Sequence, residues 1–243
     1  RAMNKMEGFF QRLKSMYAKL FVGGVVLSLL IFVFPPLYGE GYDSISALLN
    51  NQPNMLFEGS LFYTLKDNMI WVVMYMGFIV LLKVFATSAT NGSGGVGGIF
   101  APSLFIGCIT GFAFALVAGF IGEVLPVQNF ALAGMAGIIS GVMHAPLTGI
   151  FLIAELSGGY ELFIPIMIVS TVSFLTIIGF EPHSIYAMRL AKKGELRTHH
   201  KDKAVLNMLN MNRLVETDLC KVEPSATLGD LVKVIATSKR NLF

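Results

Sequence analysis

Between Lys83 and Glu123 the sequence carries no aspartate, glutamate, lysine or arginine, and five of the seven residues at 92–98 are glycine. An uncharged run of this length suits the hydrocarbon of a bilayer, where a spanning helix needs about 20 predominantly apolar residues. The glycines narrow the reading further. Residues 91–102 read NGSGGVGGIFAP, and a chain without Cβ atoms turns tightly and approaches a ligand closely. The apolar run from Ile99 onward reads as a helix, whose first turn leaves backbone N–H groups unpaired and carries partial positive charge. A helix start reached through bare backbone is an anion site built without a charged side chain. Its position inside lipid-compatible sequence points to a membrane transport protein.

The composition agrees. Of 243 residues, 54% are apolar and 14% charged, against about 25% charged in soluble domains, and the mean hydropathy is +0.68. Uncharged runs at 20–39, 84–122, 124–154 and 162–180 locate the spans. A first helix over 20–34 is stopped by Pro35-Pro36, which cannot continue the hydrogen-bond ladder. A second runs over 66–87, with Trp71 and Tyr75 at interfacial depth and Lys83 snorkelling towards the headgroups. The helix at 99–121 carries small residues at four-residue intervals, Gly107, Gly111, Ala115 and Gly119. A second stripe follows at Ala133, Gly137, Gly141 and Ala145; such stripes mark close helix contacts in lipid. Segments 129–142 and 146–156 are too short to cross a core of about 30 Å, and broken helices persist where they are buried in protein or line a cavity. A full span over 160–179 and a short helix over 184–190 complete an all-α membrane architecture.

After Arg189 the composition changes. Residues 191–203 form a basic linker that the positive-inside tendency places in the cytoplasm, and its His199-His200 pair reads as solvated rather than metal-binding. Residues 204–243 read as soluble: a strand-like CKVEP, then an amphipathic helix opened at 225–228. About 40 residues rarely bury enough surface to fold alone. Cys108 reads as a small buried hydrophobe, and Cys220 lies in the soluble tail.

Several chemical motifs are excluded on context. Gly92, Gly94 and Gly97 match a dinucleotide fingerprint in form, but neither the preceding strand nor the acidic residue about 20 positions later is there, and no Gly-Lys-Ser/Thr of a P-loop follows. Ser93 with His144 lacks the third group that orients a hydrolase base. Glu155 is an intramembrane carboxylate and so a functional candidate, but beside the break at 157–159 it reads as structural; His144 reads as a helix-end residue. Tyr186 follows the last span and a proline turn, a position that suits an interfacial aromatic or a ligand equally.

These residues together resemble a known family. Gly98-Ile-Phe-Ala-Pro102, with residues 93–97 before it, looks like the GxFxP signature of the CLC chloride channels and proton-coupled anion transporters. Residues 130–168 resemble the family's two short helices and following span. Ser184-Ile-Tyr186 resembles the entry to its last helix, and 213–243 the start of a cystathionine-β-synthase-type (CBS) regulatory domain. The resemblance implies the second inverted repeat of a CLC-type fold over 1–190, a basic linker over 191–203 and a partial α/β CBS segment over 204–243. It implies transport rather than enzymatic activity, with chloride held by the amides of Ile99 and Phe100 beside Gly98 and by the Tyr186 hydroxyl. Gly94, Gly95, Gly97 and Pro102 would support that loop, and no metal or cofactor other than the bound chloride would be needed. It further implies a multi-pass homodimer among membrane lipids, without nucleic-acid partners, and a pathway completed by an N-terminal half. That half carries the family's chloride-binding serine and gating glutamate, and Glu155 does not match the gating position. The rival readings are another secondary transporter with a helix-end site, and a membrane scaffold whose glycine stripes serve assembly alone.

Overall fold

The computed structural model describes residues 6, 8, 10, 15–192 and 220–238; the His199-His200 pair and most of the segment 191–219 lie outside them. The chain separates into two compact units, Arg1–Arg189 and Leu190–Phe243. All regular structure among the described residues is helical. The first unit holds α1 (Met16–Val33), α2 (Tyr42–Leu49), α3 (Met69–Gly92), α4 (Phe100–Phe120), α5 (Val127–Met143), α6 (Pro146–Leu156) and α7 (Phe163–Phe180), and α8 (Ala187–Lys192) crosses from it into the second. Helices α1, α3, α4 and α7 are long and apolar enough to span a membrane, with mean hydropathies of 2.1 to 2.2. At 17 and 11 residues, α5 and α6 reach only about 25 and 16 Å, so both fall short of the hydrocarbon thickness as expected.

Helix α4 lies at the centre. It buries Leu104, Phe105, Cys108, Ile109 and Phe112 completely or nearly so, packing on α3 along one side and most extensively on α5 along another. The α4–α5 contact rests on glycine. A Cβ at Gly107 would stand 2.6 Å from the Gly134 carbonyl oxygen, one at Gly134 would strike the Gly107 carbonyl, and one at Gly111 the Phe130 carbonyl. The second stripe does not meet the first: Gly137 and Gly141 face α7, where Ser173 Oγ donates to the Gly137 carbonyl at 2.7 Å. Gly119 faces open space and belongs to no contact, because α5 begins only at Val127 and its partner residues lie farther down α4.

Helix α3 departs from expectation at two residues. Tyr75 is no interfacial aromatic: it is 5% exposed, donates to the Leu56 carbonyl at 3.3 Å and stacks on Phe57 at 4.3 Å. Lys83 does not snorkel. Buried at 1% exposure, it donates from Nζ to the carbonyls of Leu37 at 3.2 Å and Gly39 at 2.9 Å, fastening the turn after α1 to the helix pair. That turn also needs glycine at position 41, where φ is +94° and a Cβ would meet the Phe105 ring.

In the second unit, α9 (Leu228–Thr237) opens on a capping box in which Thr227 and Asp230 each bond the other's backbone N–H. The strand expected in CKVEP is absent: residues 220–222 have no regular structure and no partner strand among the described residues, and a strand exists only as one side of a ladder.

Candidate anion site at a helix end

The glycine segment at 91–102 is two devices in series rather than one loop. Helix α3 runs on through Asn91 and Gly92, beyond its expected end, and the hydroxyls of Ser88 and Thr90 donate to the carbonyls of Val84 and Ala86 one turn back, so neither competes for the backbone N–H groups ahead. It then stops in a Schellman closure: Gly94 adopts φ +99°, and the Gly95 amide donates to the Thr90 carbonyl at 2.9 Å, the 6→1 bond of that motif. A Cβ at Gly95 would sit 2.9 Å from the same carbonyl oxygen. Gly94 and Gly95 therefore end α3.

The second device begins at Gly98. Ile99 is the N-cap of α4 and no side chain caps this end. Its carbonyl accepts from the Ser103 amide at 3.1 Å and from Ser103 Oγ at 2.7 Å, so the ladder starts behind the amides of Ile99, Phe100 and Ala101. Neither the Ile99 nor the Phe100 amide has a backbone acceptor among the described residues. Pro102 occupies the third helical position, where its missing N–H leaves no ladder bond unmade. Residues 94–98 are exposed. A Cβ at Gly97 would approach Asn91 Oδ1 at 3.1 Å, whereas at Gly98 it would meet nothing within 4 Å. The backbone at Gly98 is therefore open to its surroundings.

Tyr186 reaches this end of the bundle through α5. The antiparallel pairing of Gly107 with Gly134 and Gly111 with Phe130, continued to the start of α4, brings Phe100 level with Gly141. One residue on, the Val142 carbonyl accepts the Ile185 amide at 3.2 Å. The Ser184 hydroxyl accepts the Ala187 amide at 3.2 Å and so starts α8. The Tyr186 turn and the α4 N-terminus thus share one end of the helix pair. The two are not in hydrogen-bond contact; Tyr186 is 53% exposed and its hydroxyl has no hydrogen-bond partner among the described residues.

Other candidates separate from this end or from each other. The Ser93 hydroxyl donates to the Thr90 carbonyl at 3.1 Å, and the His144 ring packs edge-on against Phe174, so the two form no nucleophile–base pair. His144 closes α5 at φ +56°. Glu155 lies exposed in the last turn of α6. Two contacts that sequence reasoning missed fix the start of the glycine segment: Gly23 of α1 packs against Ser93, and Phe10 against Gly92. Neither leaves a periodic signal, since each joins positions far apart in the chain.

The family model described as voltage gated chloride channel matches residues 1–177. Among curated relatives, the Vibrio cholerae H(+)/Cl(−) exchange transporter ClcA is 32% identical over 70% of this chain and 32% of its own length. The Salmonella typhimurium voltage-gated ClC-type chloride channel ClcB is 30% identical over 78% of this chain and 42% of its own length. The Escherichia coli protein of the same name is 29% identical over 72% and 38%. The chain thus spans less than half the length of these relatives.

Proposed function

The chain belongs to the voltage gated chloride channel family, and from that membership we propose that it supplies the C-terminal half of a transmembrane chloride pathway. In this reading the amides of Ile99 and Phe100, with Gly98 clearing the approach, and the hydroxyl of Tyr186 coordinate a dehydrated chloride. The observation that carries it is the uncapped start of α4, at the same end of the helix pair as the Tyr186 turn and within uncharged sequence. Dipoles and a single hydroxyl stabilise an anion without a deep trap, so the ion can also leave. The fold is then the second of two inverted repeats with broken, re-entrant helices, the assembly a homodimer in lipid, the tail beyond α8 cytoplasmic and the start of a CBS domain, and the activity transport rather than catalysis.

The test uses the full-length protein, with chloride binding followed by calorimetry and efflux from liposomes. Replacing Tyr186 with Phe removes one hydrogen bond to a charged ion, a contribution of about 1.5–3 kcal/mol, so chloride affinity falls by roughly tenfold or more. Unchanged affinity sinks the assignment and favours a scaffold. Competition by bromide and nitrate is expected; displacement only by a larger organic anion favours a different transporter. Recording proton uptake during efflux separates an exchanger from a channel, the two activities named among the relatives. The chain alone, lacking one wall of the pathway, gives no flux.

A further inference from the structure

Lys83 is a charge buried in a membrane-spanning helix, and nothing in the proposed coordination shell uses it. An ammonium has three donors. Here two go to the Leu37 and Gly39 carbonyls, and the group lies over the Phe105 ring, 4.5 Å from its centroid. Among the described residues no carboxylate lies within ion-pair distance. All its close neighbours are partial charges, and a full charge held by partial charges alone in a low-dielectric interior is costly.

Fastening the turn at 37–41 does not by itself call for a cation. An amide side chain can donate to two carbonyls, and the turn is held independently by the buried Leu37 and by Gly41 against Phe105. The position of the charge is the more telling fact. Phe105 follows Phe100 by five residues, about 7.5 Å of helix rise, and helical side chains lean towards the N-terminus. The ammonium therefore lies on the order of 10 Å from the start of α4. That end already carries the positive pole of the helix dipole, so two positive sources converge where neither favours the other. An anion between them reverses the balance.

Resting on the chloride pathway proposed above, we infer that Lys83 is a specificity-determining residue whose buried positive charge acts through space on the anion at the α4 N-terminus. The Leu37 and Gly39 carbonyls hold it in place. A unit charge about 10 Å away at an effective dielectric of roughly 20 changes anion affinity by about tenfold.

The experiment measures chloride affinity of the full-length protein for Lys83→Arg, Lys83→Gln, Lys83→Met and Phe105→Leu, with thermal unfolding recorded in parallel. Lys83→Arg keeps the charge and stays within about threefold of the parent. Lys83→Gln, which can still fasten the turn, and Lys83→Met both lose about tenfold. Phe105→Leu, which alters packing around an intact charge, stays within about twofold. Parental affinity in Lys83→Gln overturns the inference, as does an equal loss in Phe105→Leu, either of which makes Lys83 a clamp and nothing more. Should the neutral variants not assemble, Ile79→Glu places a carboxylate one turn before a retained Lys83. It then gives the same loss relative to Ile79→Gln, and equal affinities of that pair overturn the inference. If the parent itself binds no chloride, or Tyr186→Phe has no effect, the pathway reading fails; if those hold and Lys83→Gln is silent, this inference alone fails.

Discussion

At Gly111 a methyl group would land on the Phe130 carbonyl, while at Gly119 it would enter open space, although both belong to one four-residue stripe. Gly111→Ala must therefore push two backbones apart, at the 1–3 kcal/mol of an overpacked core. Gly119→Ala removes a helix-weakening glycine and gains up to about 1 kcal/mol. Thermal unfolding of the purified full-length protein should show a clear drop for the first and none for the second; a comparable drop at both positions would mean the α4–α5 pairing is wrong. The stripes were legible in the sequence because small residues at helical spacing are a local pattern. Which member meets a partner was not, because that depends on where α5 begins. Gly134, which belongs to neither stripe, makes one of the tightest approaches. Lys83 and Tyr75 were misplaced for the same reason: the carbonyls that draw them inward lie 46 and 19 residues away.

Elements end where the chain can close its own hydrogen bonds, and the stop of α3 and the start of α4 can be separated by substitution. Gly94 holds the left-handed closure at φ +99°, which costs an L-residue about 1–2 kcal/mol. Gly94→Ala is thus expected to lower the unfolding temperature with little change in chloride affinity. Gly98 has a free approach and no positive φ, so Gly98→Ala should keep its stability and lose affinity as the methyl fills the space before the amides. The two variants behaving alike would contradict a division of the segment into a helix stop and an open helix start. The helical spans themselves were readable because hydropathy, proline and glycine act over a few residues; the split was hidden because both devices use the same residue type. At α9, hydrogen bonds from the Thr227 hydroxyl and backbone hold the Asp230 carboxyl below its usual value. A depressed carboxylate lends stability above its ordinary pKa and loses it as pH falls through the depressed one. Hydrogen exchange in the first turn of α9 should therefore quicken in acid, and Thr227→Ala, which leaves only the backbone bond to Asp230, should weaken that pH dependence; exchange indifferent to both would rule the capping pair out.

At the scale of the whole molecule, the helices of the first unit form a bundle whose outer members remain open. Helix α1 fully buries only Gly23 and leaves more than half its residues exposed, and α7 buries only Ile166 and Ser170. Apolar surface of that extent suits lipid, an N-terminal repeat or a second protomer alike, which is why composition announced a membrane protein without naming the neighbours. The family was legible from the likeness of residues 93–102, 130–168 and 184–186 to its motifs, because each is a contiguous string that needs no tertiary contact to be read. The reciprocal seat of Gly107 and Gly134 has one more effect on the assembly. Sliding α4 along α5 by one residue would drive a side chain into a carbonyl, so the pair has a single notch. The position of the α4 start relative to α5 is set at that notch, roughly two turns away, and not by the connection at 121–126. Evolution can lengthen or shorten that connection, and an engineer can cut it, while the proposed anion site keeps the place along α5 that the two glycines fix.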